Sequence, residues 1–211
     1  MFSDPDNQLL DEAKRDPAVR DDLFSQHRNR LKSMVRLRIN PRIQQRVDES
    51  DVVQDALLDA SRKFDDYTAA PQLPFYLWLR HLTGLKLAEI HARHLGTQKR
   101  DARREVPLHA LGVPQASSVI LAEQFAARIA SPSQAAMKAE VHGRIQAELD
   151  AMDATDREIL VLRHFEQLST AEAAQVLGMS KSGAGGRYLS AIKRLRAAIQ
   201  LLPGLSDVHE I

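Results

Sequence analysis

Ser169-Thr170-Ala171-Glu172-Ala173-Ala174-Gln175-Val176-Leu177-Gly178-Met179-Ser180 is the stretch on which the fold turns. Ser169 followed by Glu172 three residues on is a capping box, the reciprocal side-chain and backbone pairing that starts a helix. It predicts a short helix over 170–177. Gly178 then supplies the left-handed turn residue, and a second helix begins after Ser180. The layout is a helix-turn-helix, whose second helix enters the major groove of DNA and meets base edges with its early residues. Ala173, Ala174 and Leu177 give the small, apolar face that a close helix crossing needs.

The second helix sets out the candidates for nucleic-acid contact: Ser180, Lys181 and Ser182 at its start, Arg187 within reach of bases or phosphates, and Lys193 and Arg194 for phosphates further on. Gly183, Gly185 and Gly186 lie in its first turns, each costing up to about 1 kcal/mol relative to alanine, which predicts a start that frays until DNA is bound. A plain helical hairpin with a solvated basic face is the alternative for this segment.

Outward from there, apolar residues recur at helical spacing almost everywhere. A first helix is predicted over 22–39, with Leu23, Leu31, Val35 and Ile39 on its apolar side and Pro41 behind it. Asp48 to Asp51 offer N-capping side chains ahead of Val52, Val53, Ala56, Leu57, Ala60 and Phe64. Pro71 and Pro74 break the pattern before a third helix from Phe75 toward His94. Prolines, glycine and serines between 106 and 139 suit a linker with one local helix at the Val119 to Phe125 patch. The predicted class is all-α: an N-terminal segment 1–21, a helical domain 22–105, a flexible linker 106–139, a helix-turn-helix domain 140–202 and a tail 203–211.

Composition excludes several classes. Of 211 residues none is cysteine, which removes disulfides, thiolate-bound zinc and thiol catalysis together. The N-terminus carries Asp4, Asp6, Asp11 and Glu12 and no apolar stretch of signal-peptide or membrane-span length, so a cytoplasmic protein is expected. His91 and His94 are spaced like a ligand pair, but no third ligand stands near, so surface or DNA-facing histidines are expected, with no metal or other cofactor. Net charge is only +1, yet its distribution is uneven. Seven bases and no acid lie between Leu23 and Val47, bases return from Lys181 to Arg196, and acids gather at 48–66 and 150–158. Alternating faces of this kind suit two different partners.

Two surfaces of the first domain follow. Asp51, Gln54 and Asp55 occupy the polar side of the second helix, where a solvated face is the simplest reading. The third helix combines Phe75, Tyr76 and Trp78 with Arg80, Lys86 and Arg93, and Lys99, Arg100 and Arg103 follow it. Aromatics interleaved with bases are what single-strand binding requires, at about 1–3 kcal/mol per stacked base. For Phe75 and Trp78, packing in the core is the competing explanation.

Taken in order, these residues resemble the extracytoplasmic-function sigma factors over nearly the whole chain, from about Leu23 to Ile199. Asp51-Val52-Val53-Gln54-Asp55 is similar to the family's polymerase-binding helix, Phe75-Tyr76-Leu77-Trp78-Leu79 to the opening of its promoter-melting helix, and 156–180 to its promoter-upstream domain. Leu85, Glu89, Gly183 and Ala184 depart from the common pattern. The run 94–105 resembles a planctomycete-type branch. The resemblance implies that Asp51, Gln54 and Asp55 bind the clamp of the largest subunit of core RNA polymerase. It implies that Tyr76, Trp78, Arg80, Lys86, Arg93, Lys99, Arg100 and Arg103 serve the minus-ten element of promoter DNA, and that Ser180, Lys181, Ser182, Arg187, Lys193 and Arg194 serve the minus-thirty-five element. Further partners would be the flap of the second-largest subunit and an anti-sigma factor, with no membrane and no enzymatic activity. A helix-turn-helix regulator acting without polymerase, and a protein that sequesters a transcription partner, remain the alternatives. A hydrolase has no nucleophile-and-base set or phosphate loop to support it.

Overall fold

Asp16 and Pro17 start the first long helix: the Asp16 carboxylate accepts the Ala18 N–H at 2.8 Å, and proline fills the first helical position, where its missing N–H costs nothing. The computed structural model describes residues 7–95, 113–129 and 135–200, and every regular element among them is helical. The chain divides into two units, Met1–Pro114 and Gln115–Ile211.

The first unit holds α1 (Asn7–Ala13), α2 (Pro17–Arg38), α3 (Glu49–Arg62), α4 (Phe64–Ala69) and α5 (Phe75–Leu95). Helix α2 starts five residues earlier than periodicity alone predicts, because the Asp16 cap precedes the first apolar residue. Asp48 caps α3 by accepting the Ser50 N–H at 2.6 Å, a bond that holds its carboxyl below the ordinary range. Val52, Val53, Ala56, Leu57 and Ala60 of α3 are buried. The centre of the unit is an aromatic cluster. Phe24 stacks on Phe75 at 5.7 Å, Phe64 meets Phe24 edge-on at 5.8 Å, and Tyr67 lies flat on Trp78 at 4.3 Å. Each fully buried ring contributes about 1.5–3 kcal/mol from area alone, and together they fix where α5 leaves α4. The Tyr67 hydroxyl donates to the Leu73 carbonyl at 2.9 Å and secures the turn between them.

Two polar ties set the helices of this unit. Lys86 on α5 pairs with Asp59 on α3 at 3.1 Å, and Arg36 on α2 pairs with Glu49 on α3 at 2.8 Å. His91, half-buried, accepts the Asn40 backbone N–H on Nε2 at 3.2 Å, and burial lowers its pKa below the ordinary 6.5. It belongs to the packing of α5 on the turn after α2, whereas a surface or DNA-facing histidine was expected. Among the described residues no cluster of three His, Cys, Asp or Glu could hold a metal ion, and no helix is long and apolar enough to cross a membrane.

The second unit holds α6 (Ser118–Ile129), α7 (Ala135–Asp150), α8 (Ala154–Leu160), α9 (Thr170–Leu177) and α10 (Lys181–Gln200). The segment expected to be a linker therefore contains a three-turn helix that packs on α7. Leu121, Ala122, Phe125 and Ala126 are buried, which makes α6 part of the core of this unit. Phe125 meets Phe165 at 5.0 Å, and the Ser118 hydroxyl donates to Asp150 at 2.6 Å. Helix α8 runs on into a single π-helical stretch, Val161–Phe165. There Glu166 N–H reaches back five residues to the Val161 carbonyl at 3.0 Å, and Gln167 follows with φ 55°. Arg157 covers the end of α7 by donating to the carbonyls of Leu149 at 2.9 Å and Met152 at 2.7 Å.

Candidate nucleic-acid interface

The turn between α9 and α10 forms as its sequence dictates. Glu172 N–H donates to Ser169 Oγ at 3.2 Å, and Ser169 N–H donates to Glu172 Oε2 at 2.7 Å, completing the box. Gly178 takes φ 63°, ψ 34°, the left-handed conformation that glycine adopts without a Cβ penalty. Met179 N–H then returns to the Ala174 carbonyl at 3.0 Å.

Helix α10 is formed from Lys181 onward, so the frayed start expected from its glycines is corrected. Ser180 caps it, accepting the Gly183 N–H on Oγ at 3.1 Å, and Ala184 is fully buried beneath the first turn. Capping and burial outweigh the helix propensity lost at three glycines.

The six residues assigned here to DNA separate into two kinds. Lys181, Ser182 and Lys193 are exposed. Ser180 is engaged as the cap, Arg194 pairs with Glu148 of α7 at 2.7 Å, and Arg187 pairs with Asp156 at 2.7 Å and with Asp153 at 3.5 Å. Those acids raise the Arg187 pKa further, Asp156 most strongly.

In the first unit, Asp51, Gln54 and Asp55 are all exposed along one side of α3. Beside them a groove of about 410 Å³ runs between α2 and α3, lined by Phe24, Arg28, Gln54, Leu57 and Leu58 among others. On α5 the aromatic and basic residues are placed less simply. Tyr76 is buried, with the Arg30 guanidinium 3.7 Å above its ring, and Arg80 is only 3% exposed. Both were expected to meet a DNA strand, and in this conformation both are interior, because α5 lies between α2 and α3 and buries more than one face. Trp78 is half-buried against Tyr67, so packing claims one face of it. Lys86 pairs with Asp59 and Arg93 with Glu89 at 2.7 Å, the latter exposed. Lys99, Arg100 and Arg103 lie outside the described residues.

Residues 142–195 match the family model described as Sigma-70, region 4, which covers the helix-turn-helix. The chain is 29% identical over 155 residues to RNA polymerase sigma factor CnrH of Cupriavidus metallidurans, spanning 74% of this chain and 73% of that protein. A match of that length exceeds either unit and so draws on both. In both of its units the chain is thus similar to RNA polymerase sigma factors. The solved structure of CnrH in complex with the cytosolic domain of CnrY has the same fold, with a TM-score of 0.54 and 22% identity over 93% of this chain and 98% of the other.

This sigma factor directs transcription, and two exposed leucines join its candidate surfaces. Leu58, 51% exposed, stands one turn beyond Gln54 and Asp55 on α3. Leu189, 59% exposed, stands on the outer side of α10 between Lys181 and Lys193. Sequence reading passed over both because a leucine in an amphipathic helix is first assigned to the core. The available signal was phase: neither fits the apolar stripe of its helix.

Proposed function

We propose that this sigma factor binds core RNA polymerase through the exposed side of α3 and carries it to promoters through α10. The observation that carries the reading is that likeness to a sigma factor runs through both units. A regulator sharing only the helix-turn-helix would match only the second. Asp51, Gln54 and Asp55 are the polymerase-facing set, and Leu58 adds an apolar contact of the kind that anchors interfaces. Lys181, Ser182 and Lys193 face the minus-thirty-five element. In the first unit Trp78 and Arg93, with Lys99, Arg100 and Arg103, serve the minus-ten element, while Tyr76 and Arg80 hold α5 in place and Lys86 ties it to α3.

No catalytic step is assigned to the chain, since the polymerase performs the chemistry. A cytoplasmic location follows from that partnership. CnrH is in complex with the cytosolic domain of CnrY in its solved structure, which supports an anti-sigma factor as the proposed regulator here. The lineage suggested by residues 94–105 stays part of this proposal.

The test is binding to bacterial core polymerase, followed by transcription from fragments of the source genome. Promoter-specific transcripts are expected. Charge reversal of Asp51 and Asp55 together is expected to weaken core binding at least about tenfold with helicity unchanged, because the pair is exposed and serves no internal contact that folding needs. Unchanged core affinity in the folded double variant would remove the α3 assignment. DNA binding by the protein alone, with no affinity for polymerase, would favour a free-standing regulator.

A further inference from the structure

We propose that Arg187 is a positioning residue, tying the recognition helix α10 to the start of α8 through Asp156 and Asp153, and that it does not itself contact promoter DNA. The inference rests on the reading of α10 as the promoter-binding helix.

The geometry supports it in three ways. Arg187 Nη1 lies 2.7 Å from Asp156 Oδ1 and 3.5 Å from Asp153 Oδ1, so one end of the guanidinium that would grip a base or phosphate is already engaged by two carboxylates. The two acids are held in place by α8 itself. Asp153 caps that helix by accepting the Thr155 N–H at 2.8 Å, Asp156 stands in its first turn, and the positive end of the helix favours a carboxylate at both positions. Finally, two carboxylates against one guanidinium leave the patch negative, and a negative patch repels the phosphate backbone that Lys181 and Lys193 attract. The pair instead joins two helices across 31 residues of sequence. It sets the direction in which α10 presents Lys181, Ser182 and Lys193.

A contact residue and a positioning residue respond differently to a charge swap. The experiment measures binding of the holoenzyme, reconstituted from core polymerase and the full chain, to a genomic promoter fragment recovered by the wild-type holoenzyme, over a series of salt concentrations. Arg187→Ala and Asp156→Asn are each expected to weaken binding by about threefold to tenfold, both leaving the salt dependence of the wild type. The double swap of Arg187→Asp with Asp156→Arg is expected to recover most of the loss. The assignment is overturned if Arg187→Ala lowers the salt slope by about one phosphate contact while Asp156→Asn binds as tightly as wild type or tighter. It is overturned equally if the swap binds no better than Arg187→Asp alone. Should the wild type start no transcripts, the promoter reading fails separately. The tie is then judged by a double-mutant cycle in thermal unfolding, where about a twofold to fivefold coupling is expected and none would refute it.

Discussion

His91 shows how little a residue's type says about its work. Two histidines one turn apart suggested a ligand pair or an exposed surface, but His91 Nε2 accepts a backbone N–H from Asn40 and is therefore unprotonated at that atom. Burial lowers its pKa below 6.5. Above that value the ring is neutral whether the chain is folded or not. As the pH falls through it the unfolded chain takes up the proton first, and stability declines until the folded ring titrates as well. The thermal midpoint of the wild type should thus fall on acidification below about 6.5, and His91→Gln, which keeps an acceptor but no titration, should fall less; equal pH profiles would separate His91 from the effect. At this scale the legible residues were those on the outside of a one-sided helix. Asp51, Gln54 and Asp55 followed from the phase of α3. Arg80 and Tyr76 could not be placed, because α5 buries more than one face and a charged or hydroxylated residue in such a helix gives no sign of which neighbour covers it.

For elements, two glycines in helices make opposite predictions. Around Gly186 on α10 a Cβ would meet nothing within 4 Å, so Gly186→Ala should stabilise the second unit by up to about 1 kcal/mol. At Gly84 on α5 the same atom would collide with the side chain of Val113, which rests directly on the helix backbone. Gly84→Ala should therefore destabilise the first unit despite its better helix propensity, by about 1–3 kcal/mol for an overpacked site. Chemical denaturation of the two variants checks both signs. The helices themselves were legible wherever a cap accompanied the periodicity, as at Asp48, Ser169 and Gly178. The start of α2 was missed because its cap lies before the first apolar residue. The firmness of α10 was missed because glycine propensity is visible in sequence, whereas the burial of Ala184 that offsets it is not.

Across the whole molecule, an all-α chain with a helix-turn-helix in its last quarter was readable from pattern alone, but the limits of its units were not. Proline, glycine and serine around 106–139 made α6 look like part of a connection. Only the packing of Phe125 and Leu121 places it in the second unit. A fragment beginning at residue 115 should unfold cooperatively, while one beginning at 140 should lose at least about 3 kcal/mol, the cost of removing a buried aromatic, and expose the face of α7. Comparable melting of the two fragments would make α6 dispensable. The π-helical turn at 161–165 bears on the chain as a text that lengthens and shortens over generations. Such a turn houses one amino acid more than an α-helix of the same rise, so it is a slot where the gain or loss of one residue can be taken up without turning α8 out of phase. A single-codon deletion there should leave a foldable protein more often than one in α9 or α10, and related chains one residue shorter should differ from this one at that slot.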